Sequence, residues 1–246
     1  VRIEAGTVGI STNDLRALLA LYGMGAGDQM NDLLDLARRS RKRMWWSDYR
    51  DVLSGPYLEF IGFEAEASKI RYYHPTVVPG LLQSEAYTRA MIPSSVAIPR
   101  EPEDVERLID VRLTRISDVL GRDEPPQYTA VLDEAVVRRM VGGPAVMRDQ
   151  LRHLADLAAA DYIELRWLPF QAGAHPGLYG SFALLDFADA ADDTVLYLEN
   201  APTDMVLRDR ASEISTYEAI FEKLVEVSYD ETETLTALNK IADSLD

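Results

Sequence analysis

The chain has 246 residues, with 25 Lys and Arg against 41 Asp and Glu, a formal charge of −16, and no cysteine. A charge of that sign is repelled by a phosphate backbone. The missing thiols exclude disulfides, thiolate metal sites and a cysteine nucleophile, and no apolar run approaches the ~20 residues of a membrane helix. With 47% apolar and 27% charged residues the expectation is a soluble, cytoplasmic chain of one large or two ordinary domains.

In chain order, Ser11 or Thr12 is placed to cap a helix that carries Leu15, Leu18, Leu19 and Tyr22 on one stripe, with Gly23 to stop it. A second helix over 28–42 aligns Met30, Leu33, Leu34 and Ala37 and ends in the basic run Arg38, Arg39, Arg41, Lys42 and Arg43. That run either meets phosphate or complements the carboxyl end of its own helix. These two helices form a helical N-terminal head, residues 1–43; residues 44–246 form a second domain. Trp45, Trp46 and Tyr49 then open a crowd of aromatic residues that packs a seam or docks a partner.

From Tyr57 the spacing predicts a helix on Phe60 and Ile61, then a strand over 70–74, the turn HPTVVPGLLQ, and a helix over 84–91. Prolines 93 and 99 mark a loop, and a long helix follows from Pro102 to about Leu120 before Gly121. After Pro125 and Pro126 the pattern becomes mixed, with strands at 128–134, 162–168, 181–187 and 194–199 and helices over 144–159, 212–227 and 230–245. The expected class is α+β: a helical head and helix-rich half followed by a mixed β-sheet with packed helices.

Several polar residues fall where apolar ones are expected. Arg112 lies seven residues after Val105 on the stripe of the long helix, and Glu64 lies seven after Tyr57. Unpaired burial of either is costly, so they are expected to pair, as an internal ion pair docking two helices or as a polar anchor in a pocket wall. Glu134 and Glu199 keep phase with the apolar faces of their strands, placed for acid/base work, for bonding loop amides or for capping a following helix. His74, His153 and His175 have no metal-ligand spacing, so no metal or other cofactor is expected. His74 reads as the residue before Pro75 and His153 as a helix-surface or boundary residue. His175 lies in the glycine-rich GAHPGLYGSF, read as a loop over a pocket or a hairpin connection. No nucleophile elbow or phosphate-binding loop is present in the sequence, so catalytic residues are not assigned.

RIEAG at 2–6 with the helix DLRALLALY at 14–22 resembles the closing part of an Xre-type helix-turn-helix domain. FEAEA at 63–67, VPGLLQ at 78–83, YTRA at 87–90, LDEA at 132–135, VGG at 141–143 and QLRHL at 150–154 resemble the large C-terminal domain of actinobacterial, toxin–antitoxin-like Xre regulators. The resemblance, continuing through Leu168, Pro169, Gly173, His175, Ser181, Phe182, Tyr197 and Glu199, reaches about residue 240. It implies an antitoxin-like transcriptional regulator, homodimeric, with a small cognate partner protein or a small-molecule effector. DNA would be met only through helices that precede the RIEAG position in such domains and are not in this sequence, Arg2 being the one DNA-proximal remnant. The expected ligand pocket joins Glu64, Tyr72, Arg89, Arg112, Glu134 and His175; Trp45, Trp46 and Tyr49 are the expected partner contacts. Two other classes stay open: a scaffold adapted as a cyclase- or isomerase-type enzyme, and a pure protein-interaction module.

Overall fold

In the computed structural model the described residues are 12–25, 27, 30, 33–34, 44–95, 100–189, 193–199 and 204–245. The chain divides into two compact units, Val1–Asp48 and Tyr49–Asp246. In the first, helix α1 (Thr12–Leu21) places Leu19 against Met30 and Leu34, all three buried, beside Leu15, Met24 and Leu33. Gly23 follows with φ 81°, a left-handed turn that glycine adopts without strain. Tyr22, expected on the buried stripe, is 68% exposed because the helix ends at Leu21 and the chain turns away. Arg2 and the basic run of 38–43 lie outside the described residues.

The second unit is built on a six-stranded sheet of β1 (Lys69–His74), β2 (Gln127–Asp133), β3 (Ile163–Leu168), β4 (Ser181–Asp186), β5 (Val195–Glu199) and β6 (Met205–Leu207), in the order β3-β2-β1-β4-β5-β6. β1, β2 and β3 are parallel; β1–β4, β4–β5 and β5–β6 are antiparallel. The α+β class is therefore found as the sequence predicts, and β4 and β5 pair as an antiparallel hairpin. The sheet, however, is not confined to the second half: β1, from the helix-rich half, lies at its centre.

Helices α2 (Gly55–Glu66), α3 (Glu85–Ser95), α4 (Pro102–Leu120), α5 (Glu134–Arg138), α6 (Pro144–Leu157), α7 (Ala211–Val227) and α8 (Glu231–Asp243) complete the unit. Ser54 caps α2 by accepting from the Tyr57 amide, and Asp230 with Glu233 forms a reciprocal capping box on α8. α3 runs through Pro93, where the sequence predicted a loop. In the last turn a proline forfeits only one ladder bond, and the Ser94 hydroxyl donates to the Ala90 carbonyl at 3.0 Å.

One face of the sheet presents Ile70, Tyr72, Tyr128, Ala130, Leu165, Ala183 and Tyr197 to Phe60 of α2, Val119 of α4, Leu151 of α6 and Leu238 of α8. The other presents Tyr73, Val131, Phe182, Leu184 and Leu196 to Ile214, Phe221 and Leu224 of α7. This alternation is the period-2 geometry of strands buried on both faces. Among the described residues no helix is long and apolar enough to cross a membrane.

Candidate functional site

Helix α2 turns Phe60, Ile61 and Glu64 inward, and Glu64 is completely buried. Its partner is Arg115, not Arg112. The buried row of α4 runs through Val111, Arg115 and Val119, four residues apart, which brings Arg115 face to face with Glu64. The guanidinium donates through Nε and Nη2 to the two carboxylate oxygens, the Nη2–Oε1 bond being 2.7 Å, and Nη1 donates to the Tyr57 hydroxyl at 2.8 Å. Both side chains are at most 3% exposed. The guanidinium also lies 5.2 Å from the Phe60 ring centre. Burial alone would lower the Arg115 pKa, but the Glu64 charge holds it well above its ordinary value. Gly80 completes the pocket for these cations: a Cβ there would collide with the guanidinium nitrogens of both Arg112 and Arg115.

Next to this pair, on the same sheet face, the Tyr72 hydroxyl donates to Glu199 Oε2 at 3.0 Å, and His74 Nε2 lies 3.4 Å from the same oxygen. His74 is more than the residue before a proline. It is buried, and its Nδ1 accepts from the amides of Thr76 and Val77, each at 3.2 Å, which leaves Nε2 as the protonated nitrogen facing Glu199. Desolvation would raise the Glu199 carboxyl, but the hydrogen bond and charge of His74, the Tyr72 hydroxyl and the field of Arg112 bring it down to about 2. The Tyr197 hydroxyl donates to Asp204 Oδ2 at 2.8 Å.

A pH prediction follows from Glu199. Its folded pKa of about 2 lies below the ordinary value of 4.5, so its contribution to stability is complete above pH 4.5 and lost as the pH falls towards 2. Urea midpoints measured from pH 6 to pH 2.5 are expected to fall less steeply for Glu199→Gln than for the parent. Parallel curves would remove Glu199 as a source of the acid sensitivity.

Between α2 and α4 lies a cavity of about 310 Å³. Val52, Leu53, Ile92, Leu108 and Val111 supply its apolar wall, and Tyr57, Arg100, Arg112 and Asp204 its polar groups. Arg100 is engaged through Nη1 with the Val52 carbonyl at 3.0 Å. Arg112 is half-buried and has no hydrogen bond or ion pair among the described residues.

A second polar cluster occupies the opposite face, at the carboxyl ends of β1 and β2. Because β3 is the edge strand and β4 lies beyond β2 and β1, residues 169–180 cross those strand ends and are not a hairpin connection. The crossing buries His175, whose Nε2 lies 3.7 Å from Asp133 Oδ2. His175 Nδ1 and the Tyr73 hydroxyl are buried with no hydrogen-bond partner, and Gly177 sits so close that a Cβ would lie 2.6 Å from the Tyr73 ring. Burial raises the Asp133 carboxyl, against the pull of the Ala135 amide and His175.

Of the pocket residues singled out from sequence, Arg112 lines the cavity, while Glu64 and Tyr72 lie in the buried network beside it, bound to Arg115 and Glu199. The others lie elsewhere. Arg89 is on the surface, paired with Glu85 and Glu106 at 2.8 and 3.0 Å. Glu134 is not a strand end but the first residue of α5; it accepts from the Phe170 amide at 2.8 Å and pairs with Arg138. His175 faces the other side of the sheet. His153 is half-buried on α6, its pKa lowered by desolvation. Trp45 and Trp46 are half-buried and meet edge to face at 5.5 Å; the half-buried Tyr49 ring is covered by the Arg107 guanidinium at 5.6 Å. Sequence reasoning missed Arg115, His74 and Asp204. The i, i+4 row of Val111, Arg115 and Val119 is the signal that would have found the first.

Comparison with known families gives one match: residues 57–240 fit the family described as Domain of unknown function (DUF5753). No curated protein and no solved structure matches the chain.

Proposed function

The chain belongs to the DUF5753 family, and we propose that residues 49–246 are the effector-sensing body of a cytoplasmic, antitoxin-like transcriptional regulator whose DNA contacts come from an Xre-type helix-turn-helix, with residues 2–22 as its closing part. The observation that supports this reading best is the cavity between α2 and α4. It is of ligand size, mostly apolar, and carries a few converging polar groups. A molecule bound there touches both helices, so it can favour one arrangement of the α2–α4 pair over another and bias the state of whatever the body controls. The −16 charge fits a body that senses without meeting phosphate itself. Two-fold symmetry of the regulator would match paired half-sites on DNA.

The test is a gel shift with the gene product on the DNA upstream of its gene, at moderate salt. A sequence-specific complex is expected, its affinity changed by about 5- to 150-fold in the presence of effector, the usual range of coupling between two sites. Failure of the gene product to bind any sequence specifically would rule the reading out.

A further inference from the structure

Among the described residues that are not exposed, Arg71, Arg107, Arg115, Arg148 and Arg166 each meet a carboxylate, and Arg122 donates to three backbone carbonyls. Arg112 is the exception. It is a half-buried guanidinium, one turn before Arg115 on α4, in the wall of the α2–α4 cavity and with no hydrogen bond or ion pair. A cation partly withdrawn from water without a partner costs free energy that a bound anion would return, and a guanidinium offers a carboxylate two parallel donors.

The neighbours of Arg112 cannot relieve it. Both oxygens of Glu64 accept from Nε and Nη2 of Arg115, and Glu199 is taken by Tyr72 and His74, so that Arg112 acts on Glu199 only through its field. Gly80 limits retreat, because the guanidinium packs directly on its backbone. Beside Arg112 the wall has five aliphatic side chains and the polar Ser54, Tyr57, Arg100 and Asp204, the last accepting from the Tyr197 hydroxyl; the aliphatic part suits a hydrocarbon or aromatic body, and the Asp204 carboxylate opposes a multiply charged phosphate. At about 310 Å³ the space is at the lower end of the ~300–1,000 Å³ range of ligand sites.

We propose that this cavity binds a small organic acid, with one carboxylate held by Arg112 and an apolar body against Leu53, Ile92, Leu108 and Val111. The proposal rests on reading the cavity as the effector site, and it names the class of effector.

The test is calorimetric titration of the 246-residue chain with benzoate, hexanoate and 4-phenylbutyrate, beside benzamide, hexanamide and inorganic phosphate. At least one of the three acids is expected to bind, at least tenfold more tightly than its amide or phosphate. Arg112→Gln is expected to keep the parent's circular dichroism, since Arg112 makes no hydrogen bond or ion pair among the described residues, and to lose at least tenfold in affinity for that acid. Arg112→Lys, which keeps charge but not the paired donors, is expected to fall between. Absence of binding by all three acids overturns the proposal, as does an acid that binds Arg112→Gln as well as the parent. Amides that bind as tightly as the acids overturn it too, while leaving the cavity as a ligand site. Should Arg112→Gln misfold, the acid–amide comparison on the parent chain decides alone. A chain that binds the acid through Arg112 in a gene product that never binds DNA would keep this inference and sink the regulator.

Discussion

The Arg115→Met chain is expected to lose about 3–5 kcal/mol of unfolding free energy, the cost of leaving one partner of a buried ion pair uncompensated. The size follows from the place of the pair. Glu64 has no exposed surface and takes its charge-assisted bonds from Arg115, so removal of the guanidinium strands a carboxylate between α2 and the sheet. The Tyr57 hydroxyl loses its donor as well. Urea unfolding at neutral pH measures the loss. Combining it with Glu64→Leu should recover most of the deficit, because an apolar pair of similar volume has no charge to desolvate. A single variant within about 1 kcal/mol of the parent would mean that water reaches Glu64 and that the pair is not buried in solution.

Phe60→Ala is expected to cost about 3–5 kcal/mol, as truncation of a buried aromatic ring does when the cavity cannot collapse. Phe60 is 1% exposed and stacks on Tyr197 with ring centres 3.9 Å apart and planes 13° from parallel. On its other side lies the Arg115 guanidinium. The ring therefore ties α2 to β5 and to the ion pair at once, and the surrounding side chains are held by hydrogen bonds that resist relaxation. Thermal or urea unfolding reads the loss directly. Because Phe60 touches Arg115, the double variant Phe60→Ala, Arg115→Met should depart from additivity by about 0.5–3 kcal/mol. Additive losses would show that ring and cation act independently.

These two side chains also show how far residue patterns reach. That Phe60 and Glu64 face inward was legible from their spacing after Tyr57, because a helix of this length keeps one face over three turns. The bounds of α4 were legible as well, from Pro102 and Gly121. The heptad spacing points to Arg112, which stays within ~20° of the Val105 stripe and is half-buried, but the fully buried arginine is Arg115. A stripe started at Val105 leads to Arg112, while the most buried row of the later turns runs through Val111, Arg115 and Val119. Which row is buried depends on where α2 crosses α4, and that crossing is a long-range fact.

The strands divide in the same way. Local alternation and turn residues located five of the six, and a three-residue edge such as β6 carries too few positions to show a period. Nothing in Ile70–His74 says that this strand is the centre of the sheet, parallel to β2 and antiparallel to β4, because strand pairing is made by backbone groups that every residue shares. From that pairing come the features that matter for function. The loop of 169–180 must cross two strand ends to reach β4, which buries His175 beside Asp133. β5 is brought within reach of β1, so that Tyr72 and His74 share Glu199. Composition and period thus suffice for the charge, the class and most of the elements, since these depend on neighbours in the chain. The partner of each buried charge, and the arginine left without one, depend on how distant elements pack, and they emerge only once the sheet order and the helix crossings are in place.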